Sequence, residues 1–154
     1  TGYKTMKKIL TAILCGLLLV GCSSSAPAEE TKKEVSISEL GNELSSIMGL
    51  KDSGMSKDEV SALLALNEDE VTDARYYNEG VHTLIIVETD DTDKVEENMD
   101  YYKTSIQSQA ELYSPEDMDE LNSAILLSKG RFVIFAVDKA HEDDINLKIK
   151  DMFN

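Results

Sequence analysis

Glu88, Asp90, Asp91 and Asp93 place four carboxylates within six residues, the densest set of oxygen ligands in the chain. A hard cation such as calcium needs several carboxylates and carbonyls around one point. The stretch Glu88-Thr89-Asp90-Asp91-Thr92-Asp93 lacks the sharp glycine turn of a calcium loop, and no glutamate stands where the bidentate ligand would fall. Acids ahead of a helix also accept its unpaired amides and complement its dipole. Glu142-Asp143-Asp144 precedes the last expected helix in the same way, so capping is the expectation at both places. His82 and His141 are the only histidines. With nearby carboxylates they are the set a metal-dependent enzyme or hydrolase would use, and a zinc site would require both rings and an acid to converge. Ser105, Ser108, Ser114, Ser123 and Ser128 lack the glycine-flanked elbow of a nucleophilic serine, and no glycine loop is built to cradle phosphate. The pattern assigns no catalytic, cofactor-binding or metal residue, and the chain does not read as an enzyme.

Thiol chemistry is confined to Cys15 and Cys22. Cys22 closes an apolar run from Ile9 to Val20 that follows Lys7-Lys8, and a polar stretch from Ser23 to Pro27 comes next. That order is a secretory signal: a basic start, an apolar centre and a small residue before the cut. The run of 12 residues is too short for a spanning helix, which needs about 20. The ending Leu19-Val20-Gly21-Cys22 resembles the lipobox of bacterial lipoproteins. The resemblance implies cleavage between Gly21 and Cys22 and a diacylglycerol on the Cys22 thiol. Residues 1–21 are then the signal peptide, with Met6 as the natural start and no role assigned to Thr1 to Thr5. Residues 22–35 read as a tether, rich in Ser, Ala, Pro, Glu, Thr and Lys, with little to bury. As a flexible chain, Ser23 to Val35 reaches ~20 Å. The expected location is the extracytoplasmic face of the cell membrane, reached through the lipid on Cys22.

Downstream of Cys22, 12 basic residues face 30 acidic ones, a formal charge of −18. Nucleic acid is excluded as a partner, because phosphate binding needs a basic footprint. Adhesion to an anionic membrane surface is disfavoured for the same reason. No thiol remains for a disulfide framework or a zinc–thiolate site. The 119 residues from Ser36 to Asn154 suffice for one domain held by its own core.

Two short helices are expected first. Ser36 with Glu39 and Ser56 with Glu59 have capping-box spacing, and Met55 and Val60 are placed as a hydrophobic staple. Leu40, Leu44, Ile47 and Met48 form the first apolar stripe, and Leu63, Leu64 and Leu66 the second. A long helix is expected from Thr92 to Tyr113, with Val95, Met99, Tyr102, Ile106, Ala110 and Tyr113 on one side and Ser114-Pro115 as its stop. A further short helical turn falls between Pro115 and Leu121.

An internal repeat organises the remainder. Shifted by 50 residues, Gly80 to Glu88 lies over Gly130 to Asp138, and Val95, Met99 and Tyr102 lie over Ile145, Ile149 and Met152. Each unit reads as a hairpin with a glycine at positive φ, an acidic turn and an amphipathic helix. The partner strands fall at Thr72 to Tyr77 and Ser123 to Leu127. The expected fold is α+β: a mostly antiparallel sheet from two β-β-α units, helices packed on one face, and two short helices in front.

Tyr113-Ser114-Pro115-Glu116, Asn122-Ser123-Ala124-Ile125 and Gly130-Arg131-Phe132-Val133-Ile134 resemble a family of lipoproteins from Gram-positive bacteria known as domain of unknown function 4358. The resemblance runs roughly from Ser56 to Phe153. It implies a single α+β domain and no particular activity. The functional expectation is a lipid-anchored binding or accessory module meeting an envelope protein or wall component; the alternative is an envelope hydrolase or metal-dependent enzyme using His82 and His141. The first calls for an exposed apolar patch or an open sheet edge, the second for a pocket where the histidines meet.

Overall fold

A computed structural model describes residues 34–154. The Cys22 site, the signal peptide and nearly all of the tether lie outside the described residues. Helix α1 (Ile37–Met48) starts where the Ser36 side chain accepts the Glu39 N–H, and it ends at Gly49, whose φ is +67°. Helix α2 (Lys57–Leu63) opens on a complete capping box: Ser56 accepts the Glu59 N–H while the Glu59 carboxylate accepts the Ser56 N–H. The Ser56 N–H bond, with help from the Ser56 hydroxyl, holds the Glu59 carboxyl below its ordinary pKa.

Strands β1 (Asp73–Glu79) and β2 (His82–Glu88) form the first hairpin, and β3 (Ile125–Lys129) and β4 (Phe132–Val137) the second. Gly80 and Gly130 sit at the turns with φ of +62° and +56°. Between the hairpins lie α3 (Thr92–Tyr113) and, after a 3-10 turn, the short α4 (Met118–Asn122); α5 (Glu142–Met152) closes the chain. The sheet is antiparallel throughout, in the order β1-β2-β4-β3. At its centre Ile85 pairs with Phe135, its own counterpart in the 50-residue repeat. The two hairpins are thus related by an approximate two-fold axis through that pair. The α+β class and the antiparallel sheet agree with the sequence reading.

The helices do not lie on one face. Leu40, Leu44 and Met48 of α1 and Ile145 and Ile149 of α5 pack with Leu84, Ile86, Ile134 and Ala136. Val60 of α2, Val95 and Met99 of α3 and Leu121 of α4 pack with Ile85, Val87, Val133 and Phe135 on the other side. Val95 and Ile145, equivalent in the repeat, are therefore buried on opposite faces. The reason lies in the two central strands. Alternate strand residues point to opposite sides, and β4 is buried at all six positions, so each face needs a cover. Four strands ~4.8 Å apart give a sheet roughly 19 Å wide, which about two helices of ~10 Å fill. Five helices need both sides.

Two further positions differ from expectation. Leu63, assigned to the buried face of α2, is 38% exposed at the last helical residue, while Leu64 and Leu66 are buried. Tyr113, assigned to the core stripe of α3, is 82% exposed.

Candidate functional site

Residues of the C-terminal half of α3 form one wall of a groove whose floor is the β1–β2 hairpin and whose far side is the segment from Ser114 to Leu121. Its volume is about 290 Å³. Tyr76, Asn78 and Thr83 come from the hairpin, and Tyr102, Ile106, Gln109 and Tyr113 from α3. Alternation along the strand brings Tyr76 to this side while Tyr77 enters the opposite core.

The walls are fixed by specific bonds. Asn78 Nδ2 donates to Thr83 Oγ1 at 2.9 Å and to the carbonyls of Gly80 and His82 at 3.2 Å, which stiffens the turn. Gln107 Nε2 donates to Leu121 O at 3.4 Å and to Asn122 Oδ1 at 3.2 Å, tying α4 to α3. The Tyr102 ring stands edge-on to buried Phe135, with centroids 6.0 Å apart and an interplanar angle of 81°. Burial pushes the Tyr102 hydroxyl up to about 12, and the neighbouring Tyr76, through its charge and a hydrogen bond, adds to this. Tyr102 therefore remains a neutral phenol at physiological pH.

Among the described residues, Asp117 is the single charged side chain lining the groove and no basic residue lines it. The lining can offer hydroxyls, amides and aromatic faces to a ligand, without a cation to hold a phosphate or carboxylate. Outside the groove, the same half of α3 turns an uncharged sector to solvent. Tyr101 and Leu112 are 78% and 75% exposed, and Ser105 and Ser108 lie between them along a shallow hollow. Helical spacing puts residues 101, 105, 108 and 112 on one strip, beside the strip of 102, 106, 109 and 113. Groove and strip are therefore one continuous surface.

The four clustered acids have other work. Arg131 reaches Glu88 at 3.4 Å and Asp90 at 3.1 Å, and Asp91 caps α3 by accepting the Lys94 N–H at 3.1 Å. Thr89, buried between them, donates its hydroxyl to Glu70 O at 2.7 Å and accepts the Asp91 N–H. Asp93 lies along α3 with Glu96, Glu97 and Asp100. Capping is therefore the observed role at Asp91. In the second unit Asp138 accepts the His141 N–H and caps the 3-10 turn Lys139–His141, while Glu142, Asp143 and Asp144 lie in the first turn of α5, which has no side-chain cap.

His82 and His141 come to the same end of the sheet but to different partners. His82 Nε2 lies 3.8 Å from Glu120 Oε2, an oxygen that also accepts the Lys139 N–H at 2.9 Å. His141 Nδ1 contacts the buried Asp138 at 2.8 Å. The adjacent Lys139 is held above its ordinary pKa by its bond to Asp119. Among the described residues no three His, Cys, Asp or Glu side chains are arranged to hold a metal ion. Ser123 donates to Glu120 O at 2.7 Å and Ser128 to the Glu96 carboxylate, so neither hydroxyl is bonded to a histidine. The groove tyrosines escaped the sequence reading because Tyr102 and Tyr113 fit the core stripe by spacing alone. The departing signal was Leu112-Tyr113, two large apolar residues in the last turn, where one helix face cannot bury both.

Fold and groove together define an α+β domain with an open groove lined mostly by uncharged side chains. Residues 46–138 match the family model described as Domain of unknown function (DUF4358), and the chain belongs to that family. The match takes in the whole groove and both hairpins, and stops before α5. No curated protein and no solved structure matches the chain. Among the described residues no helix is long and apolar enough to cross a membrane.

Proposed function

We propose that this protein is a lipid-anchored binding or accessory module at the outer face of the cytoplasmic membrane, meeting its partner through the groove and the uncharged side of α3. The observation that carries the reading is the exposure beside the groove of Tyr101, Leu112 and Tyr113, the three most exposed large apolar side chains among the described residues. Large apolar side chains grouped at the rim of a concave surface mark interaction sites. The anchor half of the proposal rests on Cys22 at the end of its apolar run. Two acyl chains bury many methylenes at ~0.8 kcal/mol each, which makes attachment stable where a single chain is marginal.

Two measurements test the two halves separately. Cys22→Ser should abolish fatty-acid labelling and release the protein from the membrane fraction; labelling at wild-type level removes the anchor. For the binding surface, a photocrosslinking residue at Tyr113 in intact cells should capture a discrete partner that Leu112→Asp abolishes. Equal capture from a control position at Asp143 on α5 would remove the surface assignment.

A further inference from the structure

We propose that the outer edge of β3 is a docking strand for an extended peptide segment that alternates basic and apolar residues. Lys129 and Phe132 flank the two-residue turn of the second hairpin and form its first bonded pair, so bonded pairs recur at Leu127–Ile134 and Ile125–Ala136. Leu126 and Ser128 therefore direct their N–H and C=O groups away from β4. Among the described residues, no backbone group pairs with that edge. The equivalent edge of the first hairpin is occupied at its centre. There Asp52 bridges to Tyr77, and the Ser53 N–H donates to Tyr76 O at 3.0 Å. An approximate two-fold thus leaves one edge partly covered and the other open, and an open edge is a template for another strand.

What the edge would accept follows from its surroundings. Leu126 also lines a hollow with Asp93, Glu96, Glu97, Asp100 and Lys103. Lys103 is already paired with Asp100 at 2.9 Å, and Glu96 is held at the strand by Ser128. A strand added ~4.8 Å beyond β3 sets every second side chain beside Leu126 and Ser128, over these carboxylates. Lysine or arginine fits there. Side chains of the other parity fall beside the half-buried Leu127 on the opposite face, where apolar residues fit. A second copy of this chain fits less well, because pairing β3 with β3 brings two identical acidic helix surfaces to the same side of one sheet.

The probe is a blocked pentapeptide, Lys-Val-Lys-Val-Lys, titrated into the isotope-labelled full chain in nonionic detergent. Saturable amide shifts are expected at residues 124–129 and 93–100, with none from Glu-Val-Glu-Val-Glu. The double substitution Glu97→Lys/Asp100→Lys should weaken binding by about tenfold or more. Leu126→Pro, which removes an outward N–H together with the Leu126 side chain, should do the same; if its spectrum shows loss of fold, the Glu97/Asp100 variant decides alone. The proposal fails if no saturable binding occurs at millimolar peptide. It fails equally if shifts spread over the acidic surface and survive the substitutions, which is unspecific charge attraction. Shifts of residues 124–129 with protein concentration alone would assign the edge to a second copy instead.

Discussion

Gly41 lies on the buried side of α1, and a Cβ there would stand 2.4 Å from Tyr77 Oη, 3.2 Å from Cζ and 3.4 Å from Cε2. Two effects of Gly41→Ala oppose each other. Alanine in place of glycine inside a helix stabilises by ~1 kcal/mol. Overpacking a filled core costs ~1–3 kcal/mol. The Tyr77 ring is rigid and 4% exposed, so a 2.4 Å contact puts the strain toward the upper end of that range. The expected net loss is about 1–2 kcal/mol. Tyr77→Phe deletes the atom at 2.4 Å and leaves the nearest one at 3.2 Å, tight but adjustable. In that background Gly41→Ala should be neutral or stabilise by up to ~1 kcal/mol. The pair is therefore expected to couple by about 1–3 kcal/mol, within the range for residues in contact. Urea unfolding of the four proteins, followed by circular dichroism and compared at a common slope, measures it. If Gly41→Ala stabilises the wild type, or costs the same in the Tyr77→Phe background as in the wild type, then the close approach of α1 to β1 is not what fixes glycine here.

Three other outcomes follow from the same structure. Gly80→Val and Gly130→Val should each destabilise by at least ~1 kcal/mol, because a β-branched residue at φ of +62° or +56° is strained whatever the space around it; thermal melts that match wild type would contradict the turn assignment. Tyr102 titrates near 12 in the fold against 10.0 for an ordinary tyrosine, so the fold keeps a proton that the unfolded chain gives up. Its contribution is complete below pH 10.0 and is lost as the pH rises toward 12, and Tyr102→Phe should flatten that part of the alkaline decline; an unchanged profile would refute the burial argument. The piece from Ser36 to Asn154 should unfold cooperatively at the same temperature with and without chelator, since Arg131 and the α3 amides already satisfy Glu88, Asp90 and Asp91; a melting point that falls with chelator would restore the acidic stretch as a metal site.

Local chemistry was the legible part of the sequence. Ser56 and Glu59 close a capping box as their spacing requires, the long helix runs from Thr92 to Tyr113, and both hairpin glycines take positive φ. These depend on a few adjacent residues. The helix placement did not, because it depends on which side of a sheet a connection leaves. The sign of two-sided cover was nevertheless present in Leu84-Ile85-Ile86-Val87 and in Phe132 to Val137, where an uninterrupted apolar run has no solvent side. An expectation of helices on one face left the second side of those runs uncovered. The groove was less visible still. Tyr76 and Tyr102 are far apart along the chain, and spacing does not say that Tyr102 meets a strand tyrosine as well as the core.

The repeat and its failure point to the same surface. The strands obey it: Leu84, Ile85 and Ile86 keep their faces in Ile134, Phe135 and Ala136. The helices break it twice, once by side and once by length, since α3 has 22 residues and α5 has 11. At ~1.5 Å per residue α3 is roughly 33 Å long, while a seven-residue strand spans about 23 Å. Running back from the end of β2, α3 is about 10 Å longer than the strand. Its last two turns carry Gln109 and Tyr113 of the groove and Leu112 of the exposed strip. The hairpins could complete the core with a helix half as long, as α5 shows with Ile145 and Ile149. The second half of α3 buries little of its own: among residues 103–113 Ala110 alone is buried, with Ile106 packed partly against the core. Leu112 and Tyr113, apolar and exposed on an acidic domain, are the side chains that the proposed partner would cover.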